Sequence, residues 1–261
     1  MAKAAGLYFE DHGPRDAPPL ILSAGMGGSG SYWKPNLQAL SEAHRVILYD
    51  HRGTARSDPM LADEASIEAM ARDVIALLDY LDVDRASLIG HALGGAIGLS
   101  LARIAPERLH KLVVVNGWMK TDVLTLRCFQ ARLHILKAGG PAAYLQAQPI
   151  FLFPATWISE HDGRLHDDLD AQLEHFPDGE TLMRRIGALM TFDASEWAGA
   201  LTTPTLALAS RDDMLAPWTA SERLAAANGN ISLSLMEWGG HACNVTDPDT
   251  FNRIVLDFLR S

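Results

Sequence analysis

Two cysteines, Cys128 and Cys243, in a chain of 261 residues are too few for a disulfide framework, and they read as idle thiols of a cytoplasmic protein. Long apolar runs are also missing. No stretch of 18 apolar residues offers a membrane span, and the opening MAKAAGLYFEDHG lacks the apolar core of a signal peptide. Positive charge is in deficit. There are 22 Lys and Arg against 32 Asp and Glu, and the net charge of −10 argues against an electrostatic nucleic-acid binder. No internal repeat and no low-complexity tract occurs. What is left is a globular chain whose 48% hydrophobic content can build a large core, with a length that suits one α/β domain over residues 1–261. Its expected partner is a small molecule, with neither nucleic acid nor membrane; the oligomeric state is not legible.

Short aliphatic runs recur along the chain. PPLILSAG (18–25), HRVILYD (44–50), ASLIG (86–90), KLVVVNG (111–117), TPTLALAS (203–210) and ISLSLME (231–237) have the form of strands buried on both faces of a parallel sheet. LYFED (7–11) predicts an edge strand. Helical spacing fills the gaps: Ile67, Met70, Val74, Leu77 and Leu81 follow Ser66 as an N-cap. Phe251, Ile254, Val255, Phe258 and Leu259 follow Asp247-Pro248, and Pro217 opens a helix that Asn228-Gly229 closes. Strand–helix alternation predicts a doubly wound, mostly parallel α/β sheet. From about residue 119 to 200 no strand-like run appears, and the stretch is too long for a loop and too apolar for disorder. It predicts an inserted helical lid over one end of the sheet.

Gly90-His91-Ala92-Leu93-Gly94-Gly95 lies between a strand and a helix, the setting of the G-x-S-x-G nucleophile elbow, where small neighbours permit a sharp turn. Its central residue is alanine; taken alone, the segment reads equally well as a tight turn with close helix packing. Two later segments decide between these readings. Ser-Arg-Asp-Asp-Met-Leu-Ala-Pro (210–217) follows a strand and offers Asp213 as an acid, with Asp212 as the fallback. Trp-Gly-Gly-His-Ala (238–242) follows the last strand and puts His241 on a loop. Singly, Asp213 reads as a helix cap and His241 as a loop histidine. Together they stand in the order elbow, acid, histidine, each after its own strand.

Gly25-Met26-Gly27-Gly28-Ser29-Gly30 fits two readings. As G-x-G-x-x-G with Asp50 ending the next strand, it matches a dinucleotide fingerprint. As an oxyanion loop, it supplies the Met26 N–H to pair with that of Leu93, the residue after the elbow position. The dinucleotide reading leaves the elbow, Asp213 and His241 unexplained. Asp50-His51-Arg52-Gly53 with Ser57 reads as structural, a carboxylate and a guanidinium pinning a long loop. His161, His166 and His175 lack metal-ligand spacing and read as solvated lid residues. Phe129, Tyr144, Phe151, Phe153, Trp157 and Phe176 read as lid core before pocket wall. Arg127 and Arg132 are of the type that receives a carboxylate, but their spacing splits them across a helix.

Elbow, acid and histidine, with AGMGG (24–28) and YDHRG (49–53), resemble the α/β-hydrolase superfamily across nearly the whole chain. GHALGG, VVNGW (114–118), CFQAR (128–132), QPIFLFPATW (148–157) and GGHACNVTDPDTFN (239–252) are similar to the α/β-hydrolases of the bacterial uracil-degradation (pyrimidine-utilisation) pathway. The resemblance implies the α/β-hydrolase fold and hydrolysis of carbamate or, in an older assignment, of aminoacrylate. It also implies His241 as catalytic histidine, Asp213 as its orienting acid, and Met26 and Leu93 as oxyanion donors, with no cofactor and no metal. Ala92 departs from the superfamily pattern, while this subfamily carries alanine there too.

A methyl group cannot be acylated, so no covalent intermediate forms at residue 92. Water must attack directly, with His241 taking its proton and two backbone N–H groups holding the oxyanion. Hydrolases stripped of a triad member keep an acceleration of about 10³–10⁴, roughly 4–5.5 kcal/mol of barrier. That is useless against an ordinary amide and ample for a compound that decays by itself within minutes, as carbamate and aminoacrylate do. The competing expectation is a hydrolase-fold binding protein without turnover, which would hold a small molecule and leave it intact.

Overall fold

A computed structural model describes residues 2–61 and 65–261. The chain begins with strands β1 (Ala2–Ala4), β2 (Leu7–His12) and β3 (Pro19–Ser23), helix α1 (Lys34–Ser41), β4 (Arg45–Tyr49) and α2 (Ile67–Tyr80). It continues through β5 (Ala86–His91), α3 (Leu93–Ile104), β6 (Leu109–Val115), α4 (Val123–Leu152), α5 (Ala155–Glu174) and α6 (Gly179–Met190). β7 (Thr205–Ser210), α7 (Trp218–Ala226), β8 (Ile231–Met236), the short α8 (Cys243–Thr246) and α9 (Pro248–Arg260) complete it.

The eight strands form one sheet in the order β1-β2-β4-β3-β5-β6-β7-β8. All neighbours from β4 through β8 run parallel, and β2 is antiparallel to both β1 and β4. Alternation along each strand explains the two helical layers. Ile21, Ile47, Leu88, Leu112 and Val114 share one buried cluster with residues of α2, α3 and α7. Their neighbours Leu20, Leu22, Val46, Leu48, Ile89, Val113 and Val115 share the other with Trp33, Leu40, Phe251 and Val255. Runs apolar on both faces are what a parallel sheet covered on both sides requires. The expected caps form: Ser66 Oγ accepts from the Ala69 N–H at 3.1 Å, and the Asp247 carboxylate accepts from the Thr250 N–H at 3.2 Å.

Three expectations need correction. LYFED lies in β2, which is the second strand in, because β1 pairs along its outer side. The glycine loop's acid is bound by its own chain: Asp50 accepts from the Gly30 N–H at 2.8 Å and from Arg56 Nε at 2.7 Å. Arg56, not Arg52, is thus the guanidinium that pins this loop to Asp50, while Arg52 reaches across to Asp73 of α2 at 2.8 Å. Engaged this way, Asp50 has no oxygen turned toward a ribose, and the dinucleotide reading loses its acid. Third, His161 is not simply solvated; its ring lies against Trp157 at 4.1 Å and 8°.

The segment between β6 and β7 is helical, and α4 is not one rod. Gly140 at φ 73° and ψ −172° breaks the helix just ahead of Pro141. Arg132 Nη2 donates to Gln148 Oε1 at 2.9 Å although the two are 16 residues apart, a separation of about 24 Å on a straight helix. α4 is therefore a hairpin whose halves face each other.

Candidate active site

Ala92 joins β5 to α3 with φ 47° and ψ −101°, a region that costs a non-glycine residue about 1–3 kcal/mol. Neighbours hold it there. Its N–H donates to the Val115 carbonyl at 2.9 Å, and its carbonyl accepts from the Ala96 N–H at 3.0 Å. A Cβ at Gly90 would collide with the Gly94 carbonyl, and one at Gly94 with the carbonyls of Ser23 and Ala24. The glycines thus let the start of α3 lie directly on the end of β3. Leu93 opens α3, where a backbone N–H has no acceptor within the helix. Met26 lies in the turn after β3 that closes with the Gly28 N–H donating to the Gly25 carbonyl at 3.0 Å.

Asp213 follows β7 and His241 follows β8, and the structure brings them together. His241 Nδ1 donates to Asp213 Oδ2 at 2.7 Å, and both residues are buried. The other carboxylate oxygen, Oδ1, accepts from the N–H groups of Leu215 at 2.7 Å and Ala216 at 2.9 Å. Fixed on both oxygens, the acid orients one tautomer and leaves His241 Nε2 as a lone-pair base. Asp212 serves another purpose: Oδ1 accepts from the Gly240 N–H at 2.8 Å and from Ser210 Oγ at 2.6 Å, tying down the loop ahead of the histidine.

Two residues outside the sequence candidates support the same loop. Asn116, at φ 47° just after β6, donates from Nδ2 to the His241 carbonyl at 2.7 Å and to the Gly240 carbonyl at 3.2 Å. Its Oδ1 accepts from the Ser210 N–H at 2.9 Å, so one amide couples the acid and histidine strands. A polar residue closing the run VVV was the available signal. His91, the residue before Ala92, donates from Nε2 to the His241 carbonyl at 2.8 Å. Its ring lies 4.6 Å from that of His241, which sets the histidine beside the elbow. Burial, and then proximity to His241, pull the His91 pKa well below the usual histidine value. Cys243 is no nucleophile: burial and then the nearby Asp213 push its thiol up to about 12.

The helical segment is bonded to the acid, histidine and glycine loops of this arrangement. Thr125 Oγ1 of α4 donates to the Leu215 carbonyl at 2.9 Å, and the Leu152 carbonyl accepts from the Ala242 N–H at 2.9 Å. From α6, Arg185 Nη2 donates to the Met26 carbonyl at 3.2 Å and to His51 Nδ1 at 3.1 Å, while Nη1 donates to the Arg52 carbonyl at 3.0 Å. Burial pulls the Arg185 guanidinium down to about 10. Of the two arginines of this segment singled out in the sequence, Arg127 is exposed and Arg132 is buried.

A family model described as the alpha/beta hydrolase fold matches residues 18–147. A protein of Variovorax paradoxus named "Putative carbamate hydrolase RutD" is 50% identical over 97% of this chain and 96% of its own length. A like-named protein of Serratia proteamaculans is also 50% identical, over 97% of this chain and 96% of its own. Among solved structures, the enol-lactonase of Burkholderia xenovorans superposes with a TM-score of 0.89 at 26% identity, covering 100% of this chain and 99% of that one.

Proposed function

Since the chain belongs to the RutD family of α/β-hydrolases, we propose that it hydrolyses carbamate in pyrimidine catabolism by histidine-activated water, without an enzyme-bound intermediate. The observation that carries this is the intact Asp213–His241 pair beside an elbow that has kept its strained backbone and lost its hydroxyl. His241 Nε2 takes a proton from a water standing where a serine oxygen would be, and the hydroxide oxygen bonds to the carbamate carbon. The N–H groups of Met26 and Leu93 hold the developing oxyanion. The proton then passes from His241 to the carbamate nitrogen, the C–N bond breaks, and ammonia and bicarbonate, the hydrate of carbon dioxide, leave. The helical segment at about 119–200 acts as a lid on the single domain, its three anchors keeping the loops in register. No step needs a metal or cofactor.

The test follows carbon-13-labelled carbamate by NMR with and without the protein. An acceleration of about 10³-fold or more is expected, the residual power of a site without its nucleophile. Superimposed decay curves would overturn the assignment and leave a binding protein.

A further inference from the structure

Two arginines of the helical segment are buried with no carboxylate within ion-pair distance among the described residues, and they differ in what satisfies them. Arg185 directs its two terminal nitrogens at three acceptors, two carbonyls and the His51 ring, and only its Nε has no partner among the described residues. Arg132, only 4% exposed, makes a single hydrogen bond, from Nη2 to Gln148 Oε1 at 2.9 Å, and its Nε has no partner among the described residues. A guanidinium carries five N–H donors, and leaving a buried cation this far short is expensive unless something else answers it. Aromatic faces answer part. The guanidinium carbon lies 5.4 Å from the Phe129 ring centroid, 4.7 Å from Tyr144 and 5.7 Å from Phe151.

Its place in the fold gives the shortfall a direction. One turn earlier on α4, the Cys128 thiol lies 3.5 Å from the Met214 carbonyl, next to Asp213, and it feels the charges of both Asp213 and Arg132. On the other half of the hairpin, Phe151 precedes Leu152, whose carbonyl is bonded to the N–H of the residue after His241. Arg132 therefore stands between the acid loop and the histidine loop. We propose that Arg132 is the receptor of a carboxylate subsite, which takes a small planar monocarboxylate anion through its unanswered N–H groups while the three rings exclude larger or hydrated ions. A carboxylate presents two oxygens at the spacing of the guanidinium fork, which an ammonium or a spherical anion cannot use in the same way. Carbamate belongs to this class, and naming it as the physiological anion rests on the hydrolysis proposed above; the subsite itself does not.

The experiment titrates acetate and acrylate into the full chain while following the nitrogen-15 signal of the Arg132 Nε–H. Saturable shifts of that signal are expected. Arg132→Met should weaken acetate binding about 10- to 100-fold, the loss of a charge-assisted hydrogen-bond pair, and Arg132→Lys should fall between the two. Unchanged acetate affinity in Arg132→Met, or chloride moving the Nε–H signal as strongly as acetate, would overturn the subsite. Arg132-dependent acetate binding by a chain that leaves carbamate decay unaltered would keep the subsite and refute the hydrolase reading.

Discussion

The carboxyl ends of the strands and the helical segment above them solve the same problem by opposite means. At the strand ends, polar groups are answered at short range: Asp213 by two backbone N–H groups, the Ala92 N–H by the Val115 carbonyl, the His241 carbonyl by the Asn116 side-chain amide. Each group hangs on a short loop after a buried strand, so its position follows from the sheet. In the helical segment two buried arginines carry long-range polar contacts unequally: Arg185 reaches three acceptors and Arg132 one, and the Nε of each has no partner among the described residues. A site whose chemistry is built on strands tolerates the loss of its nucleophile and keeps its geometry. A cation left short of acceptors in a helical cover is built for something that arrives.

That contrast is broken or sharpened by substitution. Arg185→Met should destabilise the fold by about 3 kcal/mol, because it strands two carbonyls and a histidine nitrogen, and a urea titration reads it. Asn116→Ala should cost about 2 kcal/mol by the same titration and lower carbamate turnover about tenfold as the His241 loop loosens. Both His51 and His91 are held neutral, their pKa values well below the usual value through burial and then a neighbouring Arg185 or His241. Unfolding therefore binds protons once the pH drops below the unfolded histidine value of about 6.5. Stability is complete above that pH and falls below it, at up to roughly 1.4 kcal/mol per pH unit for each histidine. Melting temperatures between pH 7 and 5 check this, and a flat profile would contradict it. Arg132→Met should change stability least, by within about 1 kcal/mol and in the favourable direction, since it removes an under-paired buried charge. A loss as large as that of Arg185→Met would erase the distinction between the two.

Legibility in the sequence followed the same divide. Strands apolar on both faces, Ser66 and Asp247 as caps, and the order Ala92, Asp213, His241 were readable because each is local: a run, a cap or a loop after a strand. The choice of Asp213 over Asp212 was readable only as a preference; what settles the difference is that Asp212 is spent on the Gly240 N–H. Arg56 as the partner of Asp50, Asn116 as the tie between loops, and the hairpin in α4 were not readable as such. Their partners lie across the fold, and composition does not say which of several arginines turns inward. Gly139-Gly140-Pro141 did mark the break, yet a break does not reveal which faces meet beyond it.

The most direct test is the decay of labelled carbamate with Asp213→Asn, His241→Ala and the double variant beside the native chain. If acid and histidine act as one base, each single variant loses about as much as the double, and all three decay closer to the rate without protein than the native chain does. Native-rate decay with His241→Ala would contradict a histidine-activated water.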